Sequence, residues 1–117
     1  MMFKSYGTTF ANVSNGDKIE NQVLVNKTFR AKRISFAGNS TNTMLDTIFF
    51  GLKIEDTDIF NPDVLPVTAF KSADGQVYDL PVEILIPEKK TLGIKIKNGT
   101  GSTLTTYTVV LHGEEKD

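Results

Sequence analysis

Few side chains in this 117-residue chain can do chemistry, and they are widely spaced. His112 is the single histidine and there is no cysteine, so neither a histidine-based metal site nor a Cys–His pair can be built. A Ser-His-Asp arrangement would need serine and aspartate to converge on His112 through the fold, which spacing does not show. Set in a β-branched run, His112 reads first as a structural residue. Glu55, Asp56, Asp58 and Asp63 offer clustered oxygen ligands of the kind calcium takes. Their order lacks the central glycine and distal glutamate of an EF-hand loop, so a solvated acidic loop is the simpler reading. Lys27, Arg30, Lys32 and Arg33 form one basic run, and Lys95 and Lys97 another. Neither comes with a glycine-rich phosphate loop or an aromatic-interleaved stripe, so no nucleic-acid site is expected; lysines on strand edges also guard against aggregation. Four Asn-x-Ser/Thr triplets, at Asn12, Asn26, Asn39 and Asn98, read as coincidences in a chain rich in Asn and Thr. No catalytic, cofactor-binding or metal constellation emerges, and the expectation is a protein that is not an enzyme.

The elements that would hold these residues are strands. In Thr91–Lys97, Leu92, Ile94 and Ile96 alternate with Gly93, Lys95 and Lys97, which predicts aliphatics in a core and both lysines in water. Leu80–Pro87 precedes it, and Leu104–Gly113 follows after the turn Asn98-Gly99-Thr100-Gly101-Ser102. Upstream, Lys18–Val25 reads as a strand, and so does Thr28–Ala37, with a parity slip. Phe29 and Ala31 fall on one face, Ile34 and Phe36 on the other, and a β-bulge near Lys32-Arg33 would return all four to the core. Met44–Ile54 predicts a central strand, with Gly51 marking a bulge or a close backbone approach. The acidic excursion after it has room for a short helical turn near Asp56–Asn61. Val64–Phe70, interrupted by Pro66, suits an edge strand or a covering loop. Asp74-Gly75 is a turn signal. Residues 1–16, rich in Ser, Thr, Asn and Gly, read as an N-terminal arm or loosely held strand. Residues 17–113 then form one β-sandwich domain, and 114–117 a solvated tail. No stretch shows a helical period. Short strands every 8–12 residues or so predict an all-β fold: an antiparallel, jelly-roll-like β-sandwich of roughly eight strands.

Composition narrows the partners. Thirteen Lys plus Arg against 14 Asp plus Glu leave a net charge of −1, which pulls the chain towards neither nucleic acid nor anionic membrane. No apolar run approaches the ~20 residues of a membrane span, and the first residues lack the apolar core of a signal peptide. The expectation is a protein made in the cytoplasm. At this length about 65% of the unfolded surface can be buried, enough for a core without disulfides.

The last third carries a resemblance. Asp79-Leu80-Pro81 through Ile84-Leu85-Ile86-Pro87-Glu88, then Leu92-Gly93-Ile94-Lys95-Ile96-Lys97-Asn98, then Val109-Val110-Leu111-His112-Gly113, resembles a pattern in small virion proteins of tailed bacteriophages. Thr28–Phe36 and Leu52–Asp56 fit the same pattern, so the resemblance spans about residues 28 to 113. It departs at Glu114-Glu115, where the family pattern has an aromatic residue. It implies a non-enzymatic structural protein of a phage particle: a minor capsid, decoration or auxiliary virion protein. Such a protein is made in the host cytoplasm, sits in the virion and packs against neighbouring copies or the major capsid protein as a homo-oligomer, through strand addition by the arm and repeated modest interfaces. The residues expected to touch partners are Phe3, Tyr6 and Phe10 in the arm and Ile59 and Phe60 in the acidic excursion. Two other classes stay open. A carbohydrate-binding or adhesin-type sandwich would show exposed tyrosines or calcium at Asp56/Asp58. A cupin-type enzyme would need more histidines than one.

Overall fold

The computed structural model describes residues 2–38, 48–60, 65–66 and 79–116. They form nine strands: β1 (Met2–Val13), β2 (Lys18–Val25), β3 (Phe29–Gly38), β4 (Ile48–Ile54), β5 (Thr57–Asp58), β6 (Leu65–Pro66), β7 (Asp79–Ile86), β8 (Lys90–Asn98) and β9 (Leu104–Glu115). All the pairs are antiparallel, and they nest: β1 with β9, β2 with β8, β3 with β7, and β4 with β5 and β6. Two further pairings, β3 with β9 and β4 with β8, join these ribbons into sheets. One sheet runs β1-β9-β3-β7. The other runs β2-β8-β4-β5, with β6 beside β5 on the free edge of β4. Consecutive strands from β1 to β4, and again from β7 to β9, alternate between the sheets. That is a jelly roll: a doubled-over ribbon rolled so that its two ends pair, Met2 opposite Glu115.

The core lies between the sheets and follows the period of two. Leu92, Ile94 and Ile96 of β8 are fully buried, as are Tyr107, Val109 and Leu111 of β9 and Ile48, Phe50 and Leu52 of β4. Two edge-to-face ring pairs sit in the core: Phe36 with Phe50 joins the two layers at 5.0 Å between centroids, and Tyr6 with Phe29 links β1 to β3 within one sheet at 4.9 Å. Each such pair adds about 1 kcal/mol beyond the area it buries. The parity slip in β3 is resolved as the spacing requires. The register shifts between Ala31 and Arg33, and Phe29, Ala31, Ile34 and Phe36 all end in the core. At this bulge β9 comes very close to β3. A Cβ on Gly113 would run into the carbonyl of Arg30, so only glycine fits there.

Residues 2–13 pair along their length with β9 and place Tyr6, Phe10 and Val13 in the core. The left-handed backbone of Asn12 (φ 54°) resets the alternation, so Val13 faces inward as Phe10 does. Asn98 ties the corner at the end of this strand. Fully buried, it donates Nδ2 to the carbonyls of Val13 (2.9 Å) and Ser102 (2.7 Å), and its Oδ1 accepts from the Thr100 amide and hydroxyl. Its side-chain nitrogen is thus committed to the fold, which removes the Asn98 triplet as a glycosylation site. The excursion after β4 is a tight hairpin rather than a helical turn. Glu55 turns the chain with φ 54°, and Asp58 pairs with Lys53. Of the remaining expectations, the Asn39 triplet, Met44–Thr47, Asp63, Val64–Phe70 apart from Leu65-Pro66, and the Asp74-Gly75 turn lie outside the described residues.

Candidate interaction surface

The residues expected to meet partners divide sharply. Phe3 is 90% exposed. Tyr6 and Phe10, at 8% and 2%, are corrections: the period of β1 turns both inward, where they close the core instead of presenting an arm. Burial, and secondarily the charge of Glu115, raises the Tyr6 phenol above its ordinary pKa. Ile59 and Phe60 are half-buried and also pack on their own core. The Ile59 amide donates to the Leu52 carbonyl at 2.8 Å, and the Phe60 ring sits 5.8 Å from that of Phe50.

The outer face of the β1-β9-β3-β7 sheet collects Phe3, Arg30, Lys32, Arg33 and His112 from among the residues the sequence singled out. In register across it run Phe3, Glu114, Arg30 and Leu85, one from each strand, all outward. Leu85 is 57% exposed. In the run Val82-Glu83-Ile84-Leu85-Ile86 the alternation hides it: read as one apolar block, the run suggests burial throughout, but parity puts Val82, Ile84 and Ile86 inward and Leu85 out. Next to this row, His112 lies between two serines from neighbouring strands. Its Nδ1 is 3.1 Å from Ser5 Oγ and its Nε2 is 2.8 Å from Ser35 Oγ. A neutral imidazole donates from one nitrogen and accepts at the other, so it ties β1, β9 and β3 together on the surface. Phe3, Ser5, His112 and Glu114 wall an open hollow of about 410 Å³, and Lys32 and Arg33 at the bulge complete its rim. A second hollow of about 370 Å³ opens beside Leu85, between Arg30, Glu114 and Thr28.

Charges on this face are ordered. Glu83 accepts from Lys32 Nζ at 2.9 Å and lies 3.5 Å from Arg30 Nε. The Lys32 hydrogen bond is the main reason the Glu83 carboxyl titrates below the ordinary glutamate range. Because its folded pKa is lowered, what it adds to stability is present above the unfolded glutamate pKa and is lost as pH falls through the folded one.

The other sheet corrects the expectation that both β8 lysines are in water. Lys97 is exposed, its ammonium 6.0 Å from the Phe49 ring centroid, but Lys95 is only 7% exposed. Lys95 reaches across β4 to Asp58 on β5, at 2.6 Å. The β4 residue in register with it is Gly51, whose missing side chain leaves that path open. The contact commits Asp58, once a calcium candidate, to a lysine. Among the described residues no group of three or more His, Cys, Asp or Glu could hold a metal ion. Tyr6 and Tyr107 are both buried, so neither supplies an exposed sugar platform.

No protein-family model matches the sequence, and no curated protein matches it. Among solved structures, a weak neighbour is viral: the structure of infectious bursal disease virus, Gx strain. It is 12% identical over 98% of this chain, with a TM-score of 0.28. The chain spans 37% of the length of that protein, and at this TM-score the likeness carries no functional argument. The class of protein stands on the strand order itself, a jelly-roll β-sandwich.

Proposed function

We propose that this chain is a non-enzymatic structural protein of a phage particle, a minor capsid, decoration or auxiliary component that acts by packing against other virion chains. The observation that supports the reading most is where the phage-like residues fall. The stretch from Asp79 to Gly113 supplies β7, β8 and nearly all of β9, and β8 and β9 hold the middle of the two sheets. The resemblance is therefore in the framework that decides the fold, not in a loop. Jelly rolls also serve lectins and cupins, so fold alone does not select this function. What the surface offers is a broad sheet face with an exposed phenylalanine and leucine among ordered charges, suited to protein contact. The test is quantitative mass spectrometry of gradient-purified particles from cells carrying the gene. This chain is expected at a fixed copy number relative to the major capsid protein; recovery only in the particle-free fraction would overturn the reading.

One observation favours a second reading, a carbohydrate-binding module. The open hollow beside Phe3 sets an aromatic wall next to the Ser5 hydroxyl and the His112 imidazole. A glycan array read with wild type and Phe3→Ser separates the two: binding that depends on Phe3 would favour the module.

A further inference from the structure

The row Phe3, Glu114, Arg30, Leu85 reads apolar, acid, base, apolar across four strands. Rotate a second copy by 180° about an axis parallel to the strands, midway between β9 and β3, and lay the two faces together. Phe3 of each copy then meets Leu85 of the other, and Glu114 of each meets Arg30 of the other. The other in-plane axis, perpendicular to the strands, would set Glu114 on Glu114 and Arg30 on Arg30. Charge therefore selects one of the two face-to-face arrangements. Shape agrees with charge: Phe3, 90% exposed, is delivered to the edge where the hollow of about 370 Å³ opens beside Leu85 and Arg30. Sheets stack about 10 Å apart, which leaves room for these side chains to interdigitate. Within one copy Arg30 engages Glu83 through Nε at 3.5 Å, and the side chains of both are more than half exposed.

We infer that the outer face of the β1-β9-β3-β7 sheet is an isologous interface, occupied by a second copy of this chain related by a two-fold axis along the strands. An isologous contact repeats each pairing twice, so the row supplies two Arg30–Glu114 ion pairs and two Phe3–Leu85 contacts from four residues per copy. The inference stands apart from the particle reading, since it concerns the purified chain alone.

Sedimentation velocity over a concentration series tests it, using wild type, Arg30→Glu and Glu114→Arg, with circular dichroism to confirm that each variant folds. Wild type is expected to shift from monomer to dimer with concentration. Each single variant sets like charges face to face and should weaken self-association roughly a hundredfold. Mixing the two variants should restore the dimer, because a copy acidic at both positions would then face a copy basic at both. No effect confined to one chain can produce that rescue. Phe3→Ser should weaken the wild-type dimer without changing the mixing result. A wild type that stays monomeric, single variants that associate like wild type, or a mixture that stays apart would each overturn the proposal. None of these results bears on whether the chain co-purifies with particles, so the two readings fail separately.

Discussion

Gly113 and Asn98 show how single residues hold a sheet protein together. Gly113 faces the bulge in β3, where a Cβ would meet the Arg30 carbonyl, a backbone atom that cannot swing aside. Gly113→Ala is therefore expected to destabilise by about 3 kcal/mol, read from urea unfolding. Gly101 serves as the contrast: it has space around it but a φ of 86°. There Ala meets only backbone strain, about 1 kcal/mol. If both variants cost the same, the close approach at Gly113 is not what constrains it. Asn98→Ala strips partners from the buried Val13 carbonyl and the half-buried Thr100 amide in one step, while the Ser102 carbonyl keeps the Thr100 hydroxyl. Leaving buried backbone groups unpaired costs about 1–3 kcal/mol each, so a loss of about 3 kcal/mol is expected in the same assay. A loss under about 1 kcal/mol would mean that water replaces the amide without penalty.

At the scale of elements, β1 decides how the N-terminal segment behaves. Read from composition, residues 1–16 suit an arm. Paired with β9, they place Tyr6, Phe10 and Val13 in the core. Truncating one large buried aromatic costs about 3–5 kcal/mol, and whole-domain stability is about 5–15 kcal/mol. Deleting residues 1–16 removes two such rings and exposes the edge of β9. The truncated chain is expected to lose its near-ultraviolet circular dichroism and its cooperative thermal transition. If it unfolds cooperatively as wild type does, β1 is an accessory strand. The β3 bulge is the opposite case. Its existence was legible because four apolar residues with mismatched parity have only one inexpensive way to reach the same core.

At the scale of the whole molecule, nesting makes the fold non-local. Met2 pairs with Glu115 and Lys18 with Lys97, so each sheet closes only when distant segments meet. Loop-closure entropy is spent before those contacts form, which predicts refolding on the order of milliseconds to seconds in stopped-flow fluorescence of the tyrosines. Microsecond refolding would indicate that local hairpins, not the nested pairs, carry the transition state.

The alternation of Leu92, Ile94 and Ile96, the turn residues and the parity slip at Lys32 were determined by the sequence alone, because side-chain period and backbone sterics act over a few residues. They are enough to specify strands, a two-layer core and the all-β class. What only the tertiary structure decided is which strands lie side by side. That register sets Phe3, Glu114, Arg30 and Leu85 in one row, although 111 positions separate the first from Glu114. It carries Lys95 across Gly51 to Asp58 and brings Ser5 and Ser35 to the two nitrogens of His112. No local pattern encodes such neighbours, since a strand's period says which face a residue takes but not which strand lies beside it.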